Sequence, residues 1–565
     1  MAERVASSRQ RLADLVREAS RGGPLERVVE AISPKWAQRR AASRVQLALA
    51  GGGYHGGGRG RPAMRNFNPG GGDANDDTLL DLPDLRDRSR DLVRNAPIAT
   101  GAIGTLTTNI VGTGLALQPA IDAKLLGLTD DEAKAWQDKT NAEWKLHAES
   151  VQIDIARRLD FYGLQALGLR SALENGDAWA FLTDKEEPGH PYSLALQLVE
   201  ADRICNENFK ADSDECVQGI QKDSAGQKVG MWICNRHPGS AYTLKGFEWK
   251  YLEFRGKSGR RNVLHLMRKM RPGQTRGIPA LAPIIETLKQ LTRYSTAEVD
   301  AAVNSAAMAV FVKMDPDTFQ DIFDDTAQQN IIDNAKRWDG TLQSGAAINL
   351  LPGEDISTTT PGRPNPNFDP FVSAVMGQIG MALHIPKEVL MKHFQASYSA
   401  ARAALLDAWR TFRIRRSWLA ARFCQPVYEE WLADAVASGL IAAPGFFADP
   451  LVRAAWCGSN WAGDGPGALD PLKEAQAAEK RIQIGMTTLP EEIVGYDGGD
   501  WEQKHQVQKR VQDERVEAGL AAPITAMPGA PGVPGAPGAA PAEDGTEDET
   551  PLRGLARLRA MSNRG

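Results

Sequence analysis

The segment AARAALLDAWRTFRIRRSWLAARFC, running from Ala400, limits what this chain can fold into more than any other stretch. At 100° per residue, Ala401, Leu405, Ala408, Phe412, Leu419 and Phe423 fall within an arc of about 60°. Arg402, Arg410, Arg413 and Arg416 occupy a separate arc of roughly 120° beside it. A narrow apolar seam of this kind predicts a helix packed between neighbours. Only Asp407 offsets the arginines before Glu429, so the cationic edge is left for carboxylates, water or phosphate. The pattern continues through QPVYEEWLADAV and is expected to be interrupted at Pro426.

Other long helices precede it. In PALAPIIETLKQLTRYSTAEVDAAVNS (279–305), Leu281, Ile284, Ile285, Leu288, Leu291 and Val299 recur at helical spacing, with Pro279 suited to a first turn. A second helix is predicted over 368–384, ended by Ile385-Pro386. Two helical stretches separated near Pro97 cover 84–112, and a strand follows within Thr113–Ala120. Residues 129–186 read as helical up to Asn175-Gly176, then as a strand at Ala178–Leu182. From 192 to 266 short strands alternate with Gly, Asn and Asp, the pattern of an antiparallel sheet. The insert 310–367 predicts a helix at 317–338 and strands near Ala346–Leu351, and 469–520 predicts two helices around IGMTTLPEE. The fold class is therefore α+β. The GGGYHGGGRGR run (51–61) makes 1–75 an arm, and the Pro/Gly/Ala-rich 521–565 reads as a disordered tail.

Composition and motifs narrow the function classes. With 565 residues and a net charge of −5, the chain is long enough for several packed units but not basic enough to wrap nucleic acid tightly. There is no GxxxxGK[ST] loop, GxSxG elbow or HExxH helix, and the eight histidines are scattered. The five cysteines (Cys205, Cys216, Cys234, Cys424 and Cys457) form no CxxC pair, and free buried thiols are expected. The acidic run Asp315, Asp317, Asp321, Asp324 and Asp325 lacks EF-hand spacing, so a helix cap at Asp317 and a solvated face are expected. No catalytic residue, metal or cofactor is assigned. The N-terminus lacks the apolar core of a signal peptide, and 301–312 is too short to span a membrane. A second basic cluster, Arg268, Lys269, Arg271 and Arg276, reads either as salt bridges or as a phosphate contact.

Five segments, in this order, carry a resemblance: PIATGAIGTLTTNIVGTGLALQPA (97–120), ENGDAWAFL (174–182), MRPGQTRGIPALAPIIETLKQL (270–291), HIPKEVLMKHFQASYSAARAALLDAW (384–409) and DPLKEAQAAEKRIQIGMTTL (470–489). Together they resemble the phage portal family, in its lambda branch. The resemblance implies a closed homo-oligomeric ring, usually of twelve, at one capsid vertex of the virion. It implies a channel for double-stranded viral DNA, passed without sequence specificity during packaging and ejection. It also implies partners: terminase, major capsid protein and scaffold, then head-completion or tail connector proteins.

By region, the resemblance implies a wing at 76–266, stem helices at 267–309 and 368–390, and a mixed clip at 310–367. A tunnel loop at 391–400 and a tunnel helix at 401–433 would follow, then a return to the wing at 434–468 and a helical crown at 469–520. Lys392, His393, Gln395, Ser397, Tyr398, Arg402, Arg410, Arg413 and Arg416 are then expected to line the channel. Leu281, Ile284, Leu288, Leu291, Leu405, Phe412, Leu419 and Phe423 are expected to meet the neighbouring subunit. The competing classes are another phage head component, capsid or tail, without a DNA channel, and a phage nucleic-acid enzyme. The latter needs an ATP loop or a metal-binding carboxylate set, and neither is found in the sequence.

Overall fold

Proline and capping chemistry set the first elements. Helix α1 (Leu82–Asn95) stops two residues before Pro97, which opens α2 (Pro97–Ile110) from the first-turn position, where a missing N–H costs nothing. Strand β1 (Ala116–Pro119) follows. Helix α3 (Asp130–Ala148) starts from a capping box in which Thr129 and Glu132 satisfy each other's backbone N–H groups, and α4 (Phe161–Asn175) starts from Asp160, whose carboxylate accepts from Gly163 N. The computed structural model describes residues 69–520 apart from 242–245, 307–309, 313–323, 337–346, 350–364, 395–396, 467–470 and 498–500, together with 38–39, 42–43 and 66–67. Most of the expected arm, the C-terminal tail, Asp315, Asp317, Asp321 and Gln395 lie outside the described residues.

Two small sheets come next. Strands β2 (Asp177–Asp184) and β3 (Leu194–Val199) pair antiparallel, while β4 (Cys216–Val217), β5 (Ile220–Lys222), β6 (Lys228–Cys234) and β7 (Trp249–Glu253) form an antiparallel meander. Strand β8 (Val263–Met267) returns to the other edge of β2. Helix α5 (Ile285–Ala306) then leads to β9 (Val310–Val312), α6 (Asp325–Lys336) and β10 (Ala347–Asn349), with β9 and β10 parallel. Asp324 caps α6: its carboxylate accepts from Ala327 N at 2.8 Å.

Helices α7 (Phe368–Leu383), α8 (Lys387–Met391), α9 (Tyr398–Leu419) and α10 (Gln425–Ala437) follow. Helix α11 (Pro450–Trp456) and β11 (Ser459–Ala462) bring the chain back to β1, with Leu117 opposite Trp461. The chain ends with α12 (Pro471–Gln483), α13 (Leu489–Asp497) and α14 (Trp501–Glu517).

Two expectations change. Pro426 does not interrupt the long helix. A π-turn over Ala420–Cys424 widens it by one residue, which accommodates the proline ring and its missing donor while the helix continues into α10. Among the described residues of 469–520 there are three helices rather than the two expected. Thr488 and Glu491 make the reciprocal contacts of a cap, and Arg481 grips Glu492 through two bonds of 2.7 Å, so the turn itself becomes α13.

The sheets and α5 are joined by a buried charge cluster. The Asp177 carboxylate accepts from Arg276 Nε at 2.7 Å and Arg86 Nη2 at 3.0 Å, and lies 3.2 Å from His265 Nε2. Every guanidinium donor of Arg276 is used, the others on the carbonyls of Ala201, Ile204 and Gln218 and again on Asp177. Backbones cross beside it: Gly176 sits at φ +90°, and a Cβ on Gly277 would stand 1.9 Å from Gly176 O. Burial alone would raise the Asp177 carboxyl, but Arg276, Arg86 and His265 outweigh it and hold it well below the usual range. Of the basic cluster read either as salt bridges or as a phosphate contact, Arg276 is thus wholly interior and paired with Asp177, and Arg271 is tied to Asp77 at 2.5 Å.

Removing one partner of such a pair strands the others in the interior. Asp177→Asn is expected to lower stability by about 3–5 kcal/mol, read by thermal or denaturant unfolding. His265 adds a pH dependence. Burial, with the Lys228 cation next, pushes its imidazole from the ordinary 6.5 to about 3. The unfolded ring takes up a proton below about 6.5 and the folded ring does not, so stability falls as pH drops, by about 2 kcal/mol at pH 5. His265→Gln should flatten that part of the profile; an unchanged slope would contradict it.

Candidate functional site

Helix α9 is presented by a stiff corner. A Cβ at Gly380 would stand 2.5 Å from Ile385 O, so only glycine lets the chain fold back there, and Ile385 N donates to Gly380 O at 2.8 Å. His384 and Lys392 both adopt left-handed backbone, at φ 58° and 54°, at the two ends of the α8 corner. Ser397 then caps α9, its hydroxyl accepting from Ala400 N at 3.4 Å.

The polar loop residues Lys392, His393, Ser397 and Tyr398 are all exposed. Arg402 is half-buried, 3.7 Å from Glu474 and 3.5 Å from the Tyr398 hydroxyl. Arg410 and Arg413 point into solvent, and neither has an ion-pair partner among the described residues. With Arg402, they share an arc of about 80° on one face of α9, and Leu406, 55% exposed, lies between them.

Arg416 departs from the set. Its guanidinium donates to Ile110 O at 3.0 Å, Asn109 O at 3.1 Å and Asp464 O at 2.9 Å, and it sits over the Trp409 ring. The first two carbonyls end α2, where unpaired acceptors and the helix dipole favour a cation. Burial lowers its pKa, with the Asp464 charge opposing. Arg416 is a brace inside one chain and is not available to the solvent face.

The apolar set expected to meet a neighbour is mostly interior as well. Leu281, Ile284, Leu288, Leu291, Phe412, Leu419 and Phe423 are buried in the core of a single chain, and Leu405 is half-buried against it. The reason is that α1 and α7 already pack on that side of α5, and α2 and α8 on that side of α9. The faces without cover are others: Val299 and Val303 on α5 at 61% and 63% exposure, Met381 on α7, and Leu406 and Ile414 on α9. Helical phase in the sequence contained these faces, but nothing in it marked them as the free ones. Among the described residues, no cluster of three His, Cys, Asp or Glu could hold a metal, and no helix is long and apolar enough to cross a membrane.

These placements separate two arginines of one sequence pattern. Arg416→Ala should lower stability by about 2–3 kcal/mol through the stranded carbonyls. Arg410→Ala should change it by less than about 0.5 kcal/mol. Thermal melts of the two variants check this, and equal losses would contradict it.

Comparison with known proteins matches residues 60–416 to the family described as phage portal protein, lambda family. Portal protein B of Escherichia phage lambda is 28% identical over 495 residues, covering 84% of this chain and 92% of that protein. The portal protein of Escherichia phage N15 is 27% identical over 497 residues with the same coverage. Among solved structures, a chain from the neck of a native GTA particle computed with C12 symmetry is similar at 14% identity and a TM-score of 0.38, covering 66% of this chain and 93% of that one.

Proposed function

The chain belongs to the lambda family of phage portal proteins, structural rather than catalytic components of the virion, and on that premise we propose that twelve copies close into a ring whose α9 helices face a DNA channel. The observation that carries this reading is the exposed face of α9. Among the described residues Arg410 and Arg413 have no ion-pair carboxylate, and Leu406 and Ile414 beside them are exposed. A neighbour on one side and a duplex on the other would give each of these groups a partner.

The chemistry suits passage rather than capture. Lys392, His393, Ser397 and Tyr398 can touch phosphate oxygens without reading base edges, and Gln395 belongs to the same proposed loop. A near-neutral chain that offers Arg410 and Arg413 on this face of α9 limits counterion release, so a duplex can slide. Helices α5 and α7 would form the stem, β9–α6–β10 the clip that meets terminase and later the connector proteins, and 76–266 the wing against capsid protein and scaffold. Helices α12 to α14 would form the crown. Ring closure is a heterologous contact, so each copy has to offer two different faces. Val299, Val303, Met381 and Ile414 replace the buried seam residues as the proposed neighbour-facing set.

Two experiments test this. Arg410→Ala/Arg413→Ala is expected to lower the yield of packaged DNA or the stability of the ring; packaging and ring stability both equal to wild type would contradict the channel assignment. Val299→Asp is expected to leave the melting of the single chain unchanged while abolishing assembly, read by native mass measurement. Rings of wild-type mass from that variant would remove α5 from the proposed interface.

A further inference from the structure

A cavity that the channel role does not use lies beside α9. It has a volume of about 350 Å³ and is walled by Leu169 and Leu173 of α4 and by Ile414 and Trp418 of α9. Arg268 and Arg415 are also part of its lining. Arg415 is half-buried, and its Nη2 donates to Leu383 O at 3.3 Å. Burial, with the Arg268 charge next, pushes its pKa down to about 10. Among the described residues, neither arginine has a carboxylate partner.

Two like charges beside apolar walls favour an occupant that is both apolar and anionic. A phosphate backbone satisfies only the second condition, so DNA is a poor fit. Leu80 and Asp81 of the chain itself satisfy both. Leu80 is 88% exposed, the most exposed large apolar side chain among the described residues, and the next residue, Asp81, is an exposed carboxylate that makes no cap hydrogen bond. The turn that presents them is fixed. Asn75 Oδ1 accepts from Thr275 N at 3.0 Å, Arg271 reaches Asp77 at 2.5 Å, and Leu79 is buried. Phe394, a further exposed apolar side chain near α9, lies two residues after Lys392, whose charge Arg268 and Arg415 repel.

We propose that Leu80 and Asp81 of one copy insert into the Arg268–Arg415 cavity of the adjacent copy, the apolar side chain against Ile414 and Trp418 and the carboxylate between the two guanidiniums. This rests on the ring reading and names one knob and one hole of its heterologous contact.

Disulfide trapping in the full-length chain tests it. The five native cysteines are buried or half-buried, which keeps the background low. Leu80→Cys/Ile414→Cys, oxidised with copper phenanthroline, is expected to give a ladder of covalent multimers on a non-reducing gel. Each single variant and Phe394→Cys/Ile414→Cys should stay at one-chain mass. Asp81→Arg is expected to lower the ring fraction at least several-fold, and adding Arg268→Glu should restore it. Wild-type-mass rings of the 80/414 variant without the ladder, a disulfide closed within one chain, or a ladder from the 394/414 pair would overturn the proposal and leave the ring reading standing. Absence of rings from the wild-type chain would overturn both.

Discussion

A single buried carboxylate holds the architecture in register. Asp177 binds Arg86 from α1, Arg276 from the loop before α5, and His265 from β8. Lys228 of β6 donates to the other nitrogen of His265 at 2.8 Å. Four segments far apart in sequence thus converge on one group, and each cation among them would be stranded without it. The direction in which α5 leaves the sheets follows from this knot. So does the close crossing of Gly176 and Gly277, which no side chain larger than hydrogen would permit.

That anchoring explains why the long helices can have two characters. At its start, α5 is packed, with Leu288 and Leu291 in the core, while Val299 and Val303 further along are open to water. Helix α9 has Ala408, Phe412 and Leu419 inside and Arg410, Arg413 and Ile414 outside. A chain that folds around its own core yet leaves apolar side chains exposed on α5, α7 and α9 is suited to repeated contact with copies of itself. Arg410 and Arg413 stand beside those side chains on α9, so in the proposed ring assembly and DNA passage would draw on the same surface.

Much of this was legible in the sequence, for identifiable reasons. Pro97 marked the α1–α2 break, and periodicity located α5, α7 and α9. The Thr488–Glu491 pair also carried the signal for α13, overlooked because IGMTTLPEE reads first as a turn. Other features were illegible in principle. Helical phase says which side chains leave water but not which element covers them, so the seam of Leu405, Phe412, Leu419 and Phe423 could not be told apart from a subunit contact. Arg416 lies in the same polar arc as Arg410, and only the arrival of the α2 carbonyls, some three hundred residues earlier in the chain, distinguishes them. The two readings of Arg276, salt bridge or phosphate contact, could not be separated in the sequence because its carboxylate partner is 99 positions away.

The central claim is that identical copies close over the uncovered ridges of α5, α7 and α9 and leave a passage between them. The native mass of the purified full-length chain, measured at nanomolar concentration, bears on it most directly. Twelve chains of 61.3 kDa predict one dominant species on the order of 0.7 MDa, with a central opening when the same particles are imaged. A species that stays at the mass of one chain across the concentration range would contradict the account.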